Sequence, residues 1–478
     1  MEELWPYVVP FPIDVEARKA VWSILSSRVG TAILKALRLE DKNYQKDLLE
    51  ALPFSNKSVI YYLKKMVSAG LLVEGEDRVR VRRGRVIRVK WYVPTEFGKW
   101  LALFLREPDQ ISRGEARLAV EKLLKSYVSR VYKASSRLGL DFPSLMASSC
   151  REAVEEILAS SPRHEPEIVV FGCPALDIYG RSPGFPFEGE CTLVEEIASF
   201  PGGMGLNVAV ALARLDLKVA FVGAVGSDWA SAMVLETLVK DGVDVSAVQV
   251  CDGPLLRTLI IFDEGGKRRL LALRLRDVAL SPRTLSDRAL ELLRRARAIY
   301  LGEVFTELAS RVAKEARRAG KLLLYRPGSP YARLGLGRLR KPLSLSDIFI
   351  LNERSWKLLK ENSPGLSELG QLLGLGYGPK NIILTLGRKG CLLLGKGLKE
   401  LYEVPEALLR AFRTVDETGA GDAFSAGLLK ALLEGRGLRE AIRYGQVVAA
   451  LACSKMGTYP CFPRSGEVEE ALELLLDR

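Results

Sequence analysis

The stretch Thr414–Leu429 combines a glycine-rich turn with an acidic residue at the start of an apolar helix. Within it, Gly419, Ala420 and Gly421 directly precede Asp422. A helix N-terminus directs unpaired backbone amides and the positive end of the helix dipole at one point. Those amides could stabilise a developing anion while Asp422 accepts a hydroxyl proton, which predicts phosphoryl transfer to an alcohol. The alternative is an ordinary helix cap, in which Asp422 only complements the dipole.

The segment Asp416–Asp422 resembles the C-terminal signature of the ribokinase-like (PfkB) carbohydrate kinases. Glu417 stands where that family usually has Thr or Pro. The resemblance implies that Asp422 is the catalytic base and that the amides of Gly419–Gly421 form an anion hole. These roles agree with the chemistry that the residue types suggest by themselves.

Two earlier motifs resemble the acceptor site of the same family. Asp177 follows an apolar strand, and Gly202 and Gly203 open a helix that carries Asn207. A carboxylate and an amide can together bind vicinal hydroxyls, and glycines let the backbone approach a ligand closely. The resemblance therefore implies a sugar, a polyol or a nucleoside as the acceptor.

Further positions match the nucleotide and cation sites of the family, and the resemblance implies ATP, Mg²⁺ and a monovalent cation such as K⁺. Ser355 replaces an expected acidic residue, and Glu353 could substitute for it because Mg²⁺ tolerates a single outer-shell carboxylate. The nucleotide positions are Asn352, Thr385, Gly387, Gly390 and Gly457, and the cation positions are Glu353, Asp416 and Thr418.

One charged residue has two possible roles. Arg326 stands in the turn Tyr325–Gly328, where the family usually has a turn of the Asp-Pro-Asn type. Its guanidinium could bind an anionic group of the substrate, or it could pair with a surface carboxylate. The sequence leaves this choice open.

Strand-length apolar runs alternate with helical stretches over residues 167–478, the region that the resemblance covers. This rhythm predicts an α/β fold with a doubly wound, ribokinase-like sheet and ligands at the carboxyl ends of its strands. By analogy with the family, Tyr179–Ser199 and Leu255–Leu273 form a small β lid. The runs are Ile168–Phe171, Val219–Val225, Ala298–Leu301, Leu322–Tyr325, Ile348–Leu351 and Ile382–Leu386.

The first third of the chain has a different pattern, and we assign residues 1–106 to a winged helix-turn-helix domain. Helices are expected over Thr31–Leu39, with Thr31 as N-cap, over Tyr44–Leu52, and from the cap Ser55 to Gly70. Two alternating strands then flank a basic turn. Residues 18–105 resemble a winged helix in this order of elements.

This domain is expected to bind double-stranded DNA, with its third helix in the major groove and its hairpin on the phosphates. A protein-interaction role, with the charged hairpin as a solvated sheet edge, is the alternative. The expected contacts are Asn56, Lys57, Ser58, Tyr61, Lys64 and Lys65 on the helix and Arg80, Arg82, Arg83 and Arg85 on the hairpin.

Residues 107–166 form a predicted helical connector and linker. Helices are expected over Arg113–Leu138 and Ser144–Ala159, and the Pro-containing residues 160–166 have no periodicity. The apolar stripes of the helices could pair two subunits, so we expect a homodimer, or they could pack within one chain.

Composition excludes several classes of protein. The formal charge is +12, and residues 1–165 hold 28 Lys and Arg against 21 Asp and Glu, which suits a polyanionic partner. Seven cysteines without a paired spacing and a single histidine argue against a disulfide framework and zinc chemistry. No apolar run has membrane-spanning length, so a cytoplasmic protein without a membrane partner is expected.

The sequence thus predicts an ATP-dependent carbohydrate kinase fused to a DNA-binding domain. The alternative is a transcriptional regulator whose weak or inactive kinase fold senses a metabolite, which the substitution at Ser355 favours. A third reading makes the first domain a dimerisation module on a metabolic kinase.

Overall fold

The computed structural model describes residues 15–80, 86–106, 113–187, 189–265, 267–273, 278, 280, 281, 283, 285–374 and 378–476. The chain divides into two compact units, Met1–Met146 and Ala147–Arg478. The division falls within the stretch that the sequence predicts to be a connector. No helix among the described residues is both long and apolar enough to cross a membrane.

The first unit combines helices with a small antiparallel sheet of strand order β1-β3-β2. Its elements in chain order are α1 (Val15–Leu25), α2 (Arg28–Ala36), β1 (Asn43–Tyr44), α3 (Gln45–Ala51), α4 (Asn56–Ser68), β2 (Leu72–Arg80), β3 (Val86–Pro94), α5 (Glu96–Phe104) and α6 (Arg113–Leu138). Helix α7 (Phe142–Ala159) follows and spans the division between the units.

Helix caps explain where these helices begin. The prediction that Thr31 caps a helix is wrong, because α2 begins earlier and its cap is Ser27, whose hydroxyl accepts from the Gly30 amide. The predicted cap Ser55 is confirmed by its hydrogen bond from the Ser58 amide at 3.2 Å. Helix α7 starts at Phe142 rather than at Ser144, because proline is tolerated in the first helical turn.

The second unit contains parallel strands with helices between them. Its strands are β4 (Ile168–Phe171), β5 (Ala175–Arg181), β6 (Glu195–Gly202), β7 (Val219–Val222), β8 (Ala224–Val225), β9 (Gln249–Val250), β10 (Arg257–Phe262), β11 (Arg268–Leu273), β12 (Ala298–Leu301), β13 (Leu322–Tyr325), β14 (Ile348–Asn352), β15 (Asn381–Thr385), β16 (Cys391–Gly395) and β17 (Leu398–Tyr402).

The helices of this unit are α8 (Met204–Arg214), α9 (Trp229–Lys240), α10 (Asp287–Arg295), α11 (Thr306–Arg318), α12 (Gly328–Ala332), α13 (Leu336–Leu345), α14 (Glu353–Glu361), α15 (Glu406–Ala411), α16 (Ala420–Leu433), α17 (Leu438–Cys453) and α18 (Ser465–Leu476). Short 3₁₀ turns cover Leu369–Leu372 and Gly387–Lys389.

The main sheet has eight strands in the order β17-β16-β15-β14-β13-β12-β4-β7. The six strands from β15 to β7 run parallel, and β16 and β17 extend the edge as antiparallel strands. All residues of β4, β7 and β12 are buried, as expected for strands covered on both faces. The predicted doubly wound α/β fold is confirmed.

A second, four-stranded sheet has the order β11-β10-β5-β6. Strand β5 pairs parallel with β10 and antiparallel with β6. The prediction of β structure outside the main sheet is therefore confirmed. Because β5 follows directly after β4, the second sheet begins at the carboxyl end of the strand next to the β7 edge of the first.

Candidate functional site

Helix α16 begins in the turn that the sequence singles out. Gly419 adopts the left-handed conformation with φ of 85°, which favours glycine at this N-cap position. The Ala420 amide donates to the carbonyl of Glu417 at 3.2 Å, and the Asp422 amide donates to that of Gly419 at 3.0 Å. In the described part of the chain the amides of Gly419 and Gly421 have no such acceptor, so these two amides, not that of Ala420, are available to an anion.

Asp422 lies buried in the first turn of α16, between two polar side chains. The Asn207 amide nitrogen Nδ2 donates to Asp422 Oδ2 at 2.8 Å. On the other side, Arg326 Nη1 forms an ion pair with Asp422 Oδ1. The structure thus brings together a residue predicted for the acceptor site and the predicted base. Asn207 Oδ1 is buried and has no hydrogen-bond partner among the described residues, so it offers an acceptor to a ligand hydroxyl.

Arg326 lies against the glycine turn as well as against Asp422. Its guanidinium is 13% exposed, and a Cβ atom added to Gly421 would lie 2.3 Å from Nη2. Burial acts to lower the pKa of Arg326, but the nearby Asp422 carboxylate and the Tyr300 hydroxyl outweigh it and raise the pKa above its ordinary value. A fixed positive charge therefore lies beside the open amides of the turn.

Asp177 is the second buried carboxylate of this region. It lies on β5, opposite Thr258 of β10, and accepts a hydrogen bond from Thr458 Oγ1 at 3.0 Å. Burial raises the pKa of Asp177 to about 6, although hydrogen bonds from Thr458 and Thr258 oppose this shift. Gly202 lies directly against the carboxylate, since a Cβ atom there would be 2.0 Å from Oδ2.

Gly203 and Asn207 share one helix. Gly203 is the N-cap of α8, and the backbone amide of Asn207 donates to the Gly203 carbonyl at 3.0 Å. The four predicted acceptor residues therefore lie on β5 (Asp177), at the end of β6 (Gly202) and at the start of α8 (Gly203 and Asn207). They form one group with Asp422, to which we give the name acceptor cluster: Asp177, Gly202, Gly203, Asn207 and Asp422.

Asp416 organises the turn that leads to Gly419. Its Oδ1 accepts from the Thr418 amide at 2.8 Å and from Thr418 Oγ1 at 2.7 Å. Its Oδ2 accepts from the Gly457 amide at 3.2 Å and from the Tyr179 hydroxyl at 3.4 Å. Gly457, expected at the nucleotide, thus contacts the turn through Asp416.

The remaining nucleotide positions lie at the ends of β14 and β15, where Asn352 and Thr385 are paired residues. Gly387 and Gly390 belong to the turn after β15. Asn352 Oδ1 accepts from the Ser355 amide at 2.7 Å and so caps α14. Ser355 itself is buried and its hydroxyl is 3.0 Å from that of Ser329, so it is a packed residue rather than a spare ligand.

The described residues contain no cluster of three or more His, Cys, Asp or Glu side chains that could hold a metal ion. Glu353 follows Asn352 and is exposed at the carboxyl end of β14. A single exposed carboxylate of this kind fits an outer-shell role towards hydrated Mg²⁺.

In the first unit, helix α4 presents exposed polar residues. Asn56, Lys57, Tyr61 and Lys64 are exposed, and Ser58 is half-buried beside Ser55. Lys65 is occupied within the unit, because its Nζ donates to Ser23 Oγ at 2.6 Å.

The hairpin of β2 and β3 carries a mixed charge pattern. Lys90 pairs with Glu74 at 3.3 Å and Arg88 lies 3.8 Å from Glu76, so acidic residues partly neutralise this surface. Arg78, however, lies directly opposite Arg88 in the antiparallel register. Arg80 ends β2, and Arg82, Arg83 and Arg85 lie outside the described residues.

Sequence reasoning missed three partners of the site. Thr458 binds Asp177, Arg268 binds Thr418, and Tyr179 binds Asp416. None of them lies near its partner in the sequence. The apolar pattern of β5, which carries Tyr179 two residues after Asp177, is the one signal that could have indicated such a contact.

Most of the chain resembles known proteins. Residues 165–465 match the model of the pfkB family carbohydrate kinases. The chain is 27% identical to a ribokinase from Arabidopsis thaliana over 333 residues, which are 65% of this chain and 82% of the relative. It is 24% identical to a nucleoside kinase from Methanothermobacter thermautotrophicus over 310 residues, 63% of this chain and 94% of the relative.

A solved structure has the same fold. The Arabidopsis thaliana ribokinase complexed with ribose and ATP superposes with a TM-score of 0.56 at 25% identity, covering 65% of this chain and 99% of that one. The family match covers more than half of the chain. The chain therefore belongs to the pfkB family of carbohydrate kinases, phosphotransferases that act on a hydroxyl group.

Proposed function

We propose that residues 167–478 are an ATP-dependent kinase domain that phosphorylates a hydroxyl of a sugar, a polyol or a nucleoside. The observation that carries this proposal is the buried contact of Asp422 with Asn207, beside the open amides of Gly419 and Gly421. A base, a hydroxyl-binding amide and an anion cradle are thereby adjacent. The ATP and ribose bound to the Arabidopsis thaliana ribokinase support the two substrate classes.

In the proposed reaction Asp422 removes the proton of the acceptor hydroxyl. The hydroxyl oxygen forms a bond to the γ-phosphorus of ATP, the bond from that phosphorus to the bridging oxygen breaks, and ADP leaves. The amides of Gly419 and Gly421 donate to the transferring group, and Arg326 adds a fixed positive charge. As Asp422 gains a proton, its attraction for Arg326 falls and the guanidinium becomes available to the phosphoryl oxygens.

Asp177 and Asn207 hold the acceptor. Asp177 can accept hydrogen bonds from two neighbouring hydroxyls when it is ionised, and the unpartnered Asn207 Oδ1 accepts a third. A ribose ring or a polyol offers such hydroxyl groups. Because one relative is a nucleoside kinase, the proposed acceptors include nucleosides.

The cation positions differ in how well they fit their ions. Glu353, with Asn352, would hold hydrated Mg²⁺, which neutralises phosphate charge when it is bound. The Asp416 carboxylate does not fit a monovalent cation, because Arg268 Nη1 already lies 3.6 Å from its Oδ1 and donates to Thr418 Oγ1. The proposed reaction therefore does not use K⁺.

The deciding experiment is ATP turnover with Mg²⁺ over a panel of pentoses, hexoses, polyols and nucleosides. We expect one acceptor class to be phosphorylated, Asp422→Asn to lower kcat by roughly a thousandfold, and nucleotide binding to survive. Glu440→Gln is the control, since Glu440 is an exposed acid in the first turn of α17. Binding without turnover on every compound would instead support the metabolite sensor.

We further propose that residues 1–106 are a winged helix-turn-helix domain that binds double-stranded DNA and that residues 107–166 connect it to the kinase. The unit has a three-stranded sheet beside helices, with α4 exposing Asn56, Lys57, Tyr61 and Lys64. Like charges directly opposite each other destabilise a hairpin, so the pair Arg78 and Arg88 suits a polyanionic ligand. We also propose a homodimer in the cytoplasm, with the connector helices as the pairing surface.

Fluorescence anisotropy of the full chain on a random-sequence duplex tests the DNA proposal. We expect the logarithm of the binding constant to fall linearly with the logarithm of the salt concentration, with a slope that drops by about two units in the Lys57→Ala/Lys64→Ala double variant. Lys133→Ala, an exposed lysine on α6, should leave the slope unchanged. Absence of binding even at low salt would favour the dimerisation module.

A further inference from the structure

The Asp416 carboxylate is fully occupied by donors from three parts of the chain. An ionised carboxylate has about four lone-pair sites. All four are used, by the Thr418 amide, the Thr418 hydroxyl, the Gly457 amide and the Tyr179 hydroxyl. The side chain is 4% exposed, so its negative charge needs a positive partner nearby.

That partner comes from the second sheet. Arg268 begins β11, and its Nη1 lies 3.6 Å from Asp416 Oδ1. The same nitrogen donates to Thr418 Oγ1 at 2.7 Å, while the Thr418 hydroxyl donates to Asp416. Guanidinium, hydroxyl and carboxylate thus form a continuous hydrogen-bonded chain.

We infer that Arg268 is a built-in cation of the Asp416–Thr418 turn, so that this kinase works without a bound monovalent cation. The guanidinium supplies the charge beside Asp416 Oδ1 and Thr418 Oγ1, at the place that a bound cation would otherwise take. The inference rests on the proposed function for its effect on turnover, but not for the charge pairing itself.

The positive charge of Arg268 affects the anion-binding turn at Gly419. The turn from Asp416 to Thr418 sets the position of Gly419, whose amide is open to an anion. A buried carboxylate without a counter-charge would repel phosphate from that amide, whereas the neutralised turn does not. Arg268 is therefore a positioning residue, which acts through Thr418 and Asp416 rather than on the substrates.

The test compares wild type and Arg268→Ala in chloride salts of potassium, sodium and N-methylglucamine at equal ionic strength. We expect wild-type kcat to agree within about twofold in all three salts, whereas Arg268→Ala loses roughly ten- to a hundredfold and recovers in part with K⁺ or added guanidinium. Arg269→Ala is the matched control, because Arg269 stacks on Phe185 instead.

A second readout does not need turnover. Thallium-205 NMR and thermal unfolding should show Tl⁺ and K⁺ binding to Arg268→Ala but not to wild type or Arg269→Ala. A wild type that binds Tl⁺, or that is stimulated severalfold by K⁺, overturns the inference. If no acceptor is phosphorylated by wild type, the proposed function fails while the Tl⁺ comparison still decides the role of Arg268.

Discussion

Arg326 forms a buried ion pair with Asp422, the residue at the head of α16. Both side chains are at most 13% exposed, so the partner is not the surface carboxylate that the sequence allows. The same guanidinium closely approaches Gly421, which places one cation against both the proposed base and the anion cradle. Breaking such a pair leaves an uncompensated buried charge, which makes Arg326 a sensitive point of the site.

Gly421→Ala should disturb this contact, because its Cβ would lie 2.3 Å from Arg326 Nη2 and displace the guanidinium. We expect kcat to fall by roughly a hundredfold and the melting temperature to fall as well, because displacing the guanidinium weakens its buried pair with Asp422. The check is a double-mutant cycle with Arg326→Ala, in which adding the methyl group should then have little further effect. Additive losses would show that the methyl group acts on the cradle and not through Arg326.

Arg326→Ala alone should also lower kcat. It leaves the Asp422 carboxylate buried without its positive partner and removes the charge beside the glycine amides, so we expect a loss of roughly a hundredfold and a lower melting temperature. Arg326→Lys, which keeps the charge, should lose less in both measurements. A variant that keeps wild-type kcat and stability would contradict this role.

Asp177→Asn should weaken acceptor binding and raise the thermal stability at high pH. Burial raises the pKa of Asp177 to about 6, so the folded state favours the protonated carboxyl. The stability that this group contributes is fully present below its ordinary pKa of 3.8 and is lost as the pH rises through 6. The ionised group then costs roughly 3 kcal/mol, so the amide should raise Tm by a few degrees at about pH 8 but hardly at about pH 4. Calorimetry at both pH values checks the change in Tm. Steady-state kinetics checks the loss of acceptor binding, for which we expect KM to rise at least tenfold.

Arg214→Ala should destabilise the segment of residues 459–462, which follows Thr458. Arg214 pairs with Asp241 at 3.2 Å and donates to the carbonyls of Tyr459 and Phe462, each at 3.0 Å. Removing one partner of a buried pair costs about 3–5 kcal/mol, so urea unfolding should shift markedly. Arg436→Ala, which removes an exposed pair with Glu434, should change the unfolding free energy by less than about 1 kcal/mol.

The sequence predicted the parallel core well, since strands buried on both faces are continuous apolar runs. The bounds of β4, β12 and β13 match the predicted runs to the residue. It did not predict β1, whose two residues are too short for a periodic signal, or α1. The cap at Ser27 was missed because Ser27 and Thr31 are both plausible caps by residue type.

The acceptor cluster was predicted from motifs, but its internal contacts were not. A motif gives residue types and local spacing, whereas the pairing of Arg326 with Asp422 joins the residue after β13 to the first turn of α16, 96 positions later. Arg268 shows the same limit, because many arginines in the chain could have reached Thr418. Long charged side chains find their partners only in the folded chain.

The hydrogen bond between Thr458 and Asp177 joins residues 281 positions apart. During synthesis the ribosome therefore releases the acceptor-binding strand long before the segment that completes its surroundings. The N-terminal unit, whose sheet and helices are local, can fold while the surroundings of Asp177 are still unfinished. A nascent chain halted before Thr458 would thus lack the hydrogen bond that ties this segment to Asp177.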